Sequence, residues 1–233
     1  MSVMSGADAP TPAAPPKRRG AFITFEGGEG AGKSTQIKLL ADRLRDCGLC
    51  IVTTREPGGS PKAEALREVL LSGKAEALGA DAEAMLFAAA RADHVATLIR
   101  PALERGDWVL CDRFIDSTRV YQGLTGNVSA RLIASLEAVA VGDTRPDLTL
   151  LLDIETDVGL ARAAARRGLA AIDRFEKDSL DLQRRRRDGF LALARAEPGR
   201  FAIIDAAAGM EAVANAIWHA VSERLDVTHA VEH

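Results

Sequence analysis

The segment Phe25-Glu26-Gly27-Gly28-Glu29-Gly30-Ala31-Gly32-Lys33-Ser34-Thr35 restricts the possible folds of this chain more than any other. It reads G-x-x-x-x-G-K-S from Gly27 to Ser34. The run Ala21–Phe25 ahead of it has the β-branched and aromatic residues of a buried strand. Behind it, the apolar residues of Gln36–Leu44 recur at helical spacing. Strand, glycine loop and helix in that order make the context in which such a match carries meaning. Glycines let backbone N–H groups approach a polyphosphate, and the helix behind adds unpaired N–H groups and the positive end of its dipole. Lys33 then sets an ammonium on the β- and γ-phosphates, and the Ser34 hydroxyl faces Mg²⁺. A nucleoside triphosphate with Mg²⁺ is the expected ligand. The fate of its γ-phosphate is not written in this motif.

The 233 residues suit one domain with one sizeable core. A net charge of −3 argues against broad nucleic-acid binding, and no apolar run reaches membrane-span length. The N-terminus lacks a secretory h-region, and three cysteines without a second C-x-x-C pair read as free thiols, so a cytoplasmic protein is expected. Residues 1–19, rich in Ala and Pro, read as a disordered tail. Residues 20–227 read as the domain and 228–233 as a loose C-terminal tail.

Further strands are expected at Cys50–Thr53, Trp108–Cys111, Leu148–Asp153 and Phe201–Asp205, each joined to the next through helices. That alternation describes a five-stranded parallel α/β sheet covered on both faces. Ligands of such sheets sit beyond the carboxyl ends of the strands. Arg55 and Glu56, on a loop after the second strand, and Asp112 and Arg113, after the third, therefore share a rim with the glycine loop. Arg55 suits a phosphate, Asp112 the outer shell of Mg²⁺, and Arg113 a transferring phosphoryl group. Ser117 and Tyr121, and likewise Thr118 and Gln122, are one helical turn apart and are expected to line one wall. A helix over Asp81–Ile99, capped by Asp81, puts Phe87 and Arg91 on one face. A ring beside a guanidinium suits a nucleobase, although Phe87 taken alone reads as core. Pro101 restarts a short helix. Arg162, Arg166, Arg167 and Arg174 flank a helix breaker at Gly168 and resemble a lid over about 160–176 that closes on the triphosphate. Asp153 fits either a metal-associated carboxylate or a helix cap. The run Arg184–Arg187 reads as mostly exposed surface.

Three segments together, the glycine loop, Thr54-Arg55-Glu56-Pro57-Gly58-Gly59, and Asp112-Arg113-Phe114 with Ser117 and Tyr121-Gln122-Gly123, resemble the thymidylate kinases. Leu86–Arg91 and Pro146–Leu150 look similar too, so the resemblance covers about residues 20–225. It implies a P-loop NTPase fold, ATP and dTMP as substrates, Mg²⁺ as cofactor and a homodimer. By that resemblance Phe87 stacks on thymine, Arg91 hydrogen-bonds the base and Thr118 meets the base edge. Tyr121 packs where a ribose 2′-OH would lie, Arg55 and Arg113 hold the monophosphate, and Glu29 lies near the 3′-OH. Human-like members carry a basic residue at the position of Gly30. Its absence resembles the bacterial type, in which lid arginines, here Arg166 and Arg167, serve the reaction and Arg162 meets ATP. A kinase for another nucleoside monophosphate or a deoxynucleoside is one alternative. A nucleotide switch is another, although neither Asn127 nor Asn215 opens an N-K-x-D guanine motif.

Overall fold

The computed structural model describes residues 19–167 and 178–227, without the side chains of Arg166 and Arg167. Five strands, β1 (Phe22–Glu26), β2 (Ile51–Arg55), β3 (Trp108–Asp112), β4 (Leu148–Asp153) and β5 (Phe201–Asp205), form one sheet in the order β2-β3-β1-β4-β5. Every pairing is parallel, as the sequence predicts. β1 lies at the centre and is buried throughout, whereas the edge strand β2 is half-buried, so its pattern is less apolar. The chain leaves β1 toward β2 and β3 on one side and later crosses to β4 and β5 on the other. This reversal opens a crevice at the carboxyl ends of the central strands.

Alternating side chains of the sheet build two apolar layers. On one face Ile23, Phe25, Leu110 and Leu150 pack on α1 (Lys33–Asp46) and α9 (Met210–Arg224) through Leu40, Leu44, Ile217 and Val221. On the other, Phe22 and Val109 meet α3 (Ala80–His94) and the helical turns after it through Val95, Ile99 and Leu103. α8 (Leu180–Ala196) closes that face over β4 and β5 through Phe190 and Ala194. Thr24 and Thr149, fully buried on adjacent strands, satisfy each other by a hydroxyl hydrogen bond of 2.8 Å.

The structure departs from the expected elements in several places. β2 runs on to Arg55, which pairs with Asp112, and the Glu56 N–H extends the ladder by donating to the Asp112 carbonyl. Arg55 thus ends a strand and does not sit on a loop. Gly79 occupies the N-cap of α3 and Asp81 lies inside the first turn, where its charge still favours the helix dipole. Pro101 restarts nothing. α3 passes through a π-helical turn (Val95–Ile99) directly into α4 (Arg100–Glu104), and the ring falls in the first turn of that segment, where a missing N–H costs little. Arg19, assigned to the tail, bonds Asp147 at 3.1 Å. The rest of the N-terminal stretch, residues 168–177, which include the later part of the expected lid with Arg174, and 228–233 lie outside the described residues.

One contact fixes how α7 (Thr156–Arg167) meets the glycine loop. Gly30 has φ +70°, and a Cβ there would stand 1.8 Å from the carbonyl oxygen of Gly159. A Cβ on Gly159 would in turn stand 2.5 Å from the Glu29 carbonyl oxygen. Backbone lies directly on backbone, which two glycines permit and larger residues forbid. Gly30→Ala should therefore lower unfolding stability by about 2–4 kcal/mol, combining left-handed strain with overpacking. Urea unfolding measures it, and a loss below about 0.5 kcal/mol would show that α7 shifts freely.

Candidate active site

The glycine loop presents the first cation. Lys33 begins α1 and is buried, and its Nζ donates to the carbonyls of Gly27 at 3.0 Å and Gly28 at 2.9 Å. Burial, and then the nearby Arg113 charge, push the ammonium below its ordinary pKa, while Glu29, Asp112 and Glu26 oppose the shift. An anion arriving in the loop would favour the charged form. Beside it the Ser34 hydroxyl donates to Asp112 Oδ2 at 3.0 Å, so the two oxygen donors expected to serve a metal stand together. A hard cation that keeps several waters needs only one or two protein oxygens beside phosphate oxygens, and this pair fits Mg²⁺ on that ground.

β3 delivers the second cation. Arg113 follows Asp112 with φ +68°, a conformation rare for a residue with a side chain, and its N–H donates to the Phe25 carbonyl at 2.9 Å. Its guanidinium donates to Glu29 at 2.7 Å and to the Ser117 hydroxyl at 3.3 Å and lies 5.2 Å from the Tyr121 ring centroid. Burial works against this charge, but Tyr121, Glu29, Glu26 and Asp112 together raise its pKa, and it stays cationic.

The third cation stands across a cleft beside Glu29 and Arg113. Phe87 and Arg91, four residues apart on α3, both line it, as do Glu29, Arg113, Tyr121 and Gln122. Ser117 and Thr118 on α5 (Ile115–Thr118) complete the expected wall. Arg91 is held on three sides: Nε donates to Glu56 at 2.6 Å, Nη1 to Thr118 at 3.0 Å and Nη2 to the Phe114 carbonyl at 3.0 Å. The fork has further N–H groups for a ligand. Phe87 also packs on Leu70 and Ala75, so it serves core and cleft together.

Some expected residues stand elsewhere. Arg55 is exposed, bonds Glu64 at 3.0 Å and does not line the cleft. Arg162 spans to the carbonyls of Ala206 at 2.7 Å and Ala207 at 2.9 Å, in the turn after β5. Arg166 and Arg167 close α7, and their side chains lie outside the described residues. Asp153 is engaged by Arg187 at 2.7 and 2.9 Å. The expectation of an exposed Arg184–Arg187 run fails at two of its members. Arg186 is buried and Arg187 half-buried, because α8 turns that side toward β4 and Tyr121.

Sequence reasoning also assigned no structural role to three carboxylates around the cleft. Glu56 bonds both Arg91 and, at 3.0 Å, His94 Nδ1, while His94 Nε2 meets the Thr54 hydroxyl at 2.8 Å. Asp116, fully buried, accepts from Arg200 at 2.7 and 2.9 Å and ties α5 to the start of β5. Glu26, the last residue of β1, accepts from the N–H groups of Phe114 and Ser117 and from the Ser117 hydroxyl at 2.6 Å. A lone carboxylate ending an otherwise apolar strand was the available signal for Glu26.

Burial, followed by the charge of Asp116, raises the Glu26 pKa from 4.5 to about 7, against the pull of Arg113 and the Ser117 and Phe114 donors. The folded chain therefore holds this proton where the unfolded chain has released it. The stabilisation is complete below about pH 4.5 and is lost as pH rises through about 7. Between pH 4.5 and 8 the stability of Glu26→Gln relative to the native chain should rise by up to about 3 kcal/mol. Denaturant curves at several pH values measure this difference, and parallel profiles for the two proteins would refute it.

The model of the thymidylate kinase family matches residues 25–217. A thymidylate kinase of Rhodopseudomonas palustris (strain TIE-1) is 61% identical over 208 residues, covering 89% of this chain and 90% of that one. The thymidylate kinase of Bradyrhizobium sp. (strain ORS 278) is 58% identical over 207 residues, covering 89% and 92%. The crystal structure of thymidylate kinase from Ehrlichia chaffeensis superposes with a TM-score of 0.70 at 32% identity, over 87% of this chain and 99% of that one. With the cleft, the glycine loop and these likenesses in agreement, the chain belongs to the thymidylate kinase family.

Proposed function

We infer that the chain transfers the terminal phosphoryl group of ATP to dTMP, ATP + dTMP → ADP + dTDP, supplying dTTP for DNA synthesis. The observation that carries this reading is a cleft next to the glycine loop that gathers Phe87, Arg91, Arg113, Thr118 and Tyr121. ATP would lie with its phosphates on Gly27–Thr35. The thymine would stack on Phe87 and meet Arg91 and Thr118. Its sugar would pack on Tyr121, with Glu29 near the 3′-OH, Ser117 and Gln122 along the wall, and the monophosphate on Arg113 and Arg55.

The nucleophile is a phosphate oxygen. A phosphate monoester has its second pKa near ~6, so this oxygen is largely ionised at neutral pH and needs no strong general base. The obstacle is to bring two anions together. Lys33 and Arg113, positioned by their hydrogen-bond partners before a ligand arrives, would neutralise that charge and help to align donor and acceptor. A phosphate entering the cleft would take Arg113 from Glu29, and the triphosphate would take Lys33 from the loop carbonyls. Mg²⁺ would be held by Ser34, with Asp112 acting through water, and supplies charge neutralisation across the phosphates. Arg166 and Arg167 are proposed to add charge from the lid, and Arg162 to meet ATP. The homodimer is proposed from the family resemblance. A cytoplasmic location is proposed from the free thiols, and among the described residues no helix is long and apolar enough to cross a membrane.

A coupled ADP-release assay across dTMP, dUMP, dCMP, dGMP, UMP and thymidine should show dTMP strongly preferred, and inactivity on dTMP would end this reading. Arg113→Ala should lower kcat by about 10²–10³-fold with an unchanged circular dichroism spectrum. Near-normal turnover would remove Arg113 from the reacting phosphates.

A further inference from the structure

We propose that Arg186 is a positioning residue for the acceptor cleft, acting by holding the Tyr121 ring that forms part of its wall. The proposal rests on the reading of the cleft as the dTMP site and concerns a residue outside its lining.

α8 approaches the π-helical turn Arg119–Leu124 closely. A Cβ on Gly189 would stand 2.6 Å from Leu124 Cδ2, the free end of an exposed side chain, and 3.4 Å from Val120 Cγ1, so the helix packs closely on this turn. The close approach brings the neighbouring positions of α8 onto Tyr121. Phe190 meets the ring edge-on, with centroids 6.3 Å apart. Arg186, one turn earlier, places its guanidinium carbon 4.3 Å from the ring centroid, nearer than the 5.2 Å of Arg113. Arg186 is only 6% exposed and is anchored at 2.6 Å by Asp178, just ahead of α8. A buried long cation against an aromatic ring, with its own carboxylate anchor, has little rotational freedom to lose and little water to screen it.

The geometry gives the two arginines different tasks. Arg113 lines the cleft and bonds Glu29, and so is available to a ligand. Arg186 does not line the cleft and meets its wall at the Tyr121 ring. Loss of Arg186 should therefore loosen the wall on which the acceptor sugar rests and leave the phosphate-handling cations in place. Acceptor affinity should weaken while turnover and ATP use hold.

Tyr121 is the only tyrosine of the chain, so one labelled ring signal reports on it by NMR without assignment. The experiment compares the native protein with Arg186→Met and Arg186→Lys. In Arg186→Met the KM for dTMP should rise about three- to tenfold, the range a buried cation–π contact supports, with kcat and the KM for ATP within about twofold. The tyrosine signal of the ligand-free protein should shift in the same variant. Arg186→Lys should recover part of both changes, because it keeps the charge but not the planar fork. An unaltered dTMP KM or an unaltered tyrosine signal in Arg186→Met would overturn the proposal, as would an equal fall in kcat. If Arg186→Met fails to fold, Arg186→Lys decides alone: an elevated dTMP KM with a shifted signal supports the role, and native values refute it. The ring signal is read without substrate, so a failure of the dTMP assignment itself would show as native inactivity and leave that readout intact.

Discussion

A dry rim crowded with cations is the constraint around which this molecule is arranged. Lys33, Arg91 and Arg113 are all buried or nearly so, and each is held by named acceptors. A charge taken out of water without a partner costs several kcal/mol, so such residues exist only with compensation built in. Here Glu29 sits on Arg113 and Glu56 on Arg91, while backbone carbonyls hold Lys33. These partners do two things at once. They make the unliganded site affordable to fold, and they fix the cations where two phosphorylated ligands can exchange places with them.

The same pattern extends outward from the cleft. Arg200 and Arg119 converge on the buried Asp116, and Arg187 binds Asp153 and Glu155 at the end of β4. Apart from the local Arg119–Asp116 pair, these ion pairs join segments distant in sequence or separate elements. The segment after β3 is tied to β5, and α8 is tied to β4. The rim is thereby built from rigid pieces, and the strained φ of Arg113 is held by the hydrogen bond from its own N–H to β1.

Much of this was legible beforehand because it is local. The glycine loop, the apolar period of β4 and the pairing of Phe87 with Arg91 are properties of short segments, and the parallel sheet follows from their alternation. What was hidden is what depends on the approach of distant segments. Nothing near Arg186 in the sequence says that α8 packs onto Tyr121, so four consecutive arginines read as solvated surface. Glu26 and Glu56 were quoted within motifs, yet their roles as acceptors appear only once β3 and α3 stand beside them. Arg55 is a related case: its place at a strand end was legible, but its exposed pairing with Glu64 was not.

The seating of Gly159 on Gly30 also couples the glycine loop to the helix across it. A side chain at position 30 would meet the Gly159 carbonyl, so it could be accommodated only as far as the loop or α7 gives way. In this chain, altering the chemistry of the loop at that position also means moving α7.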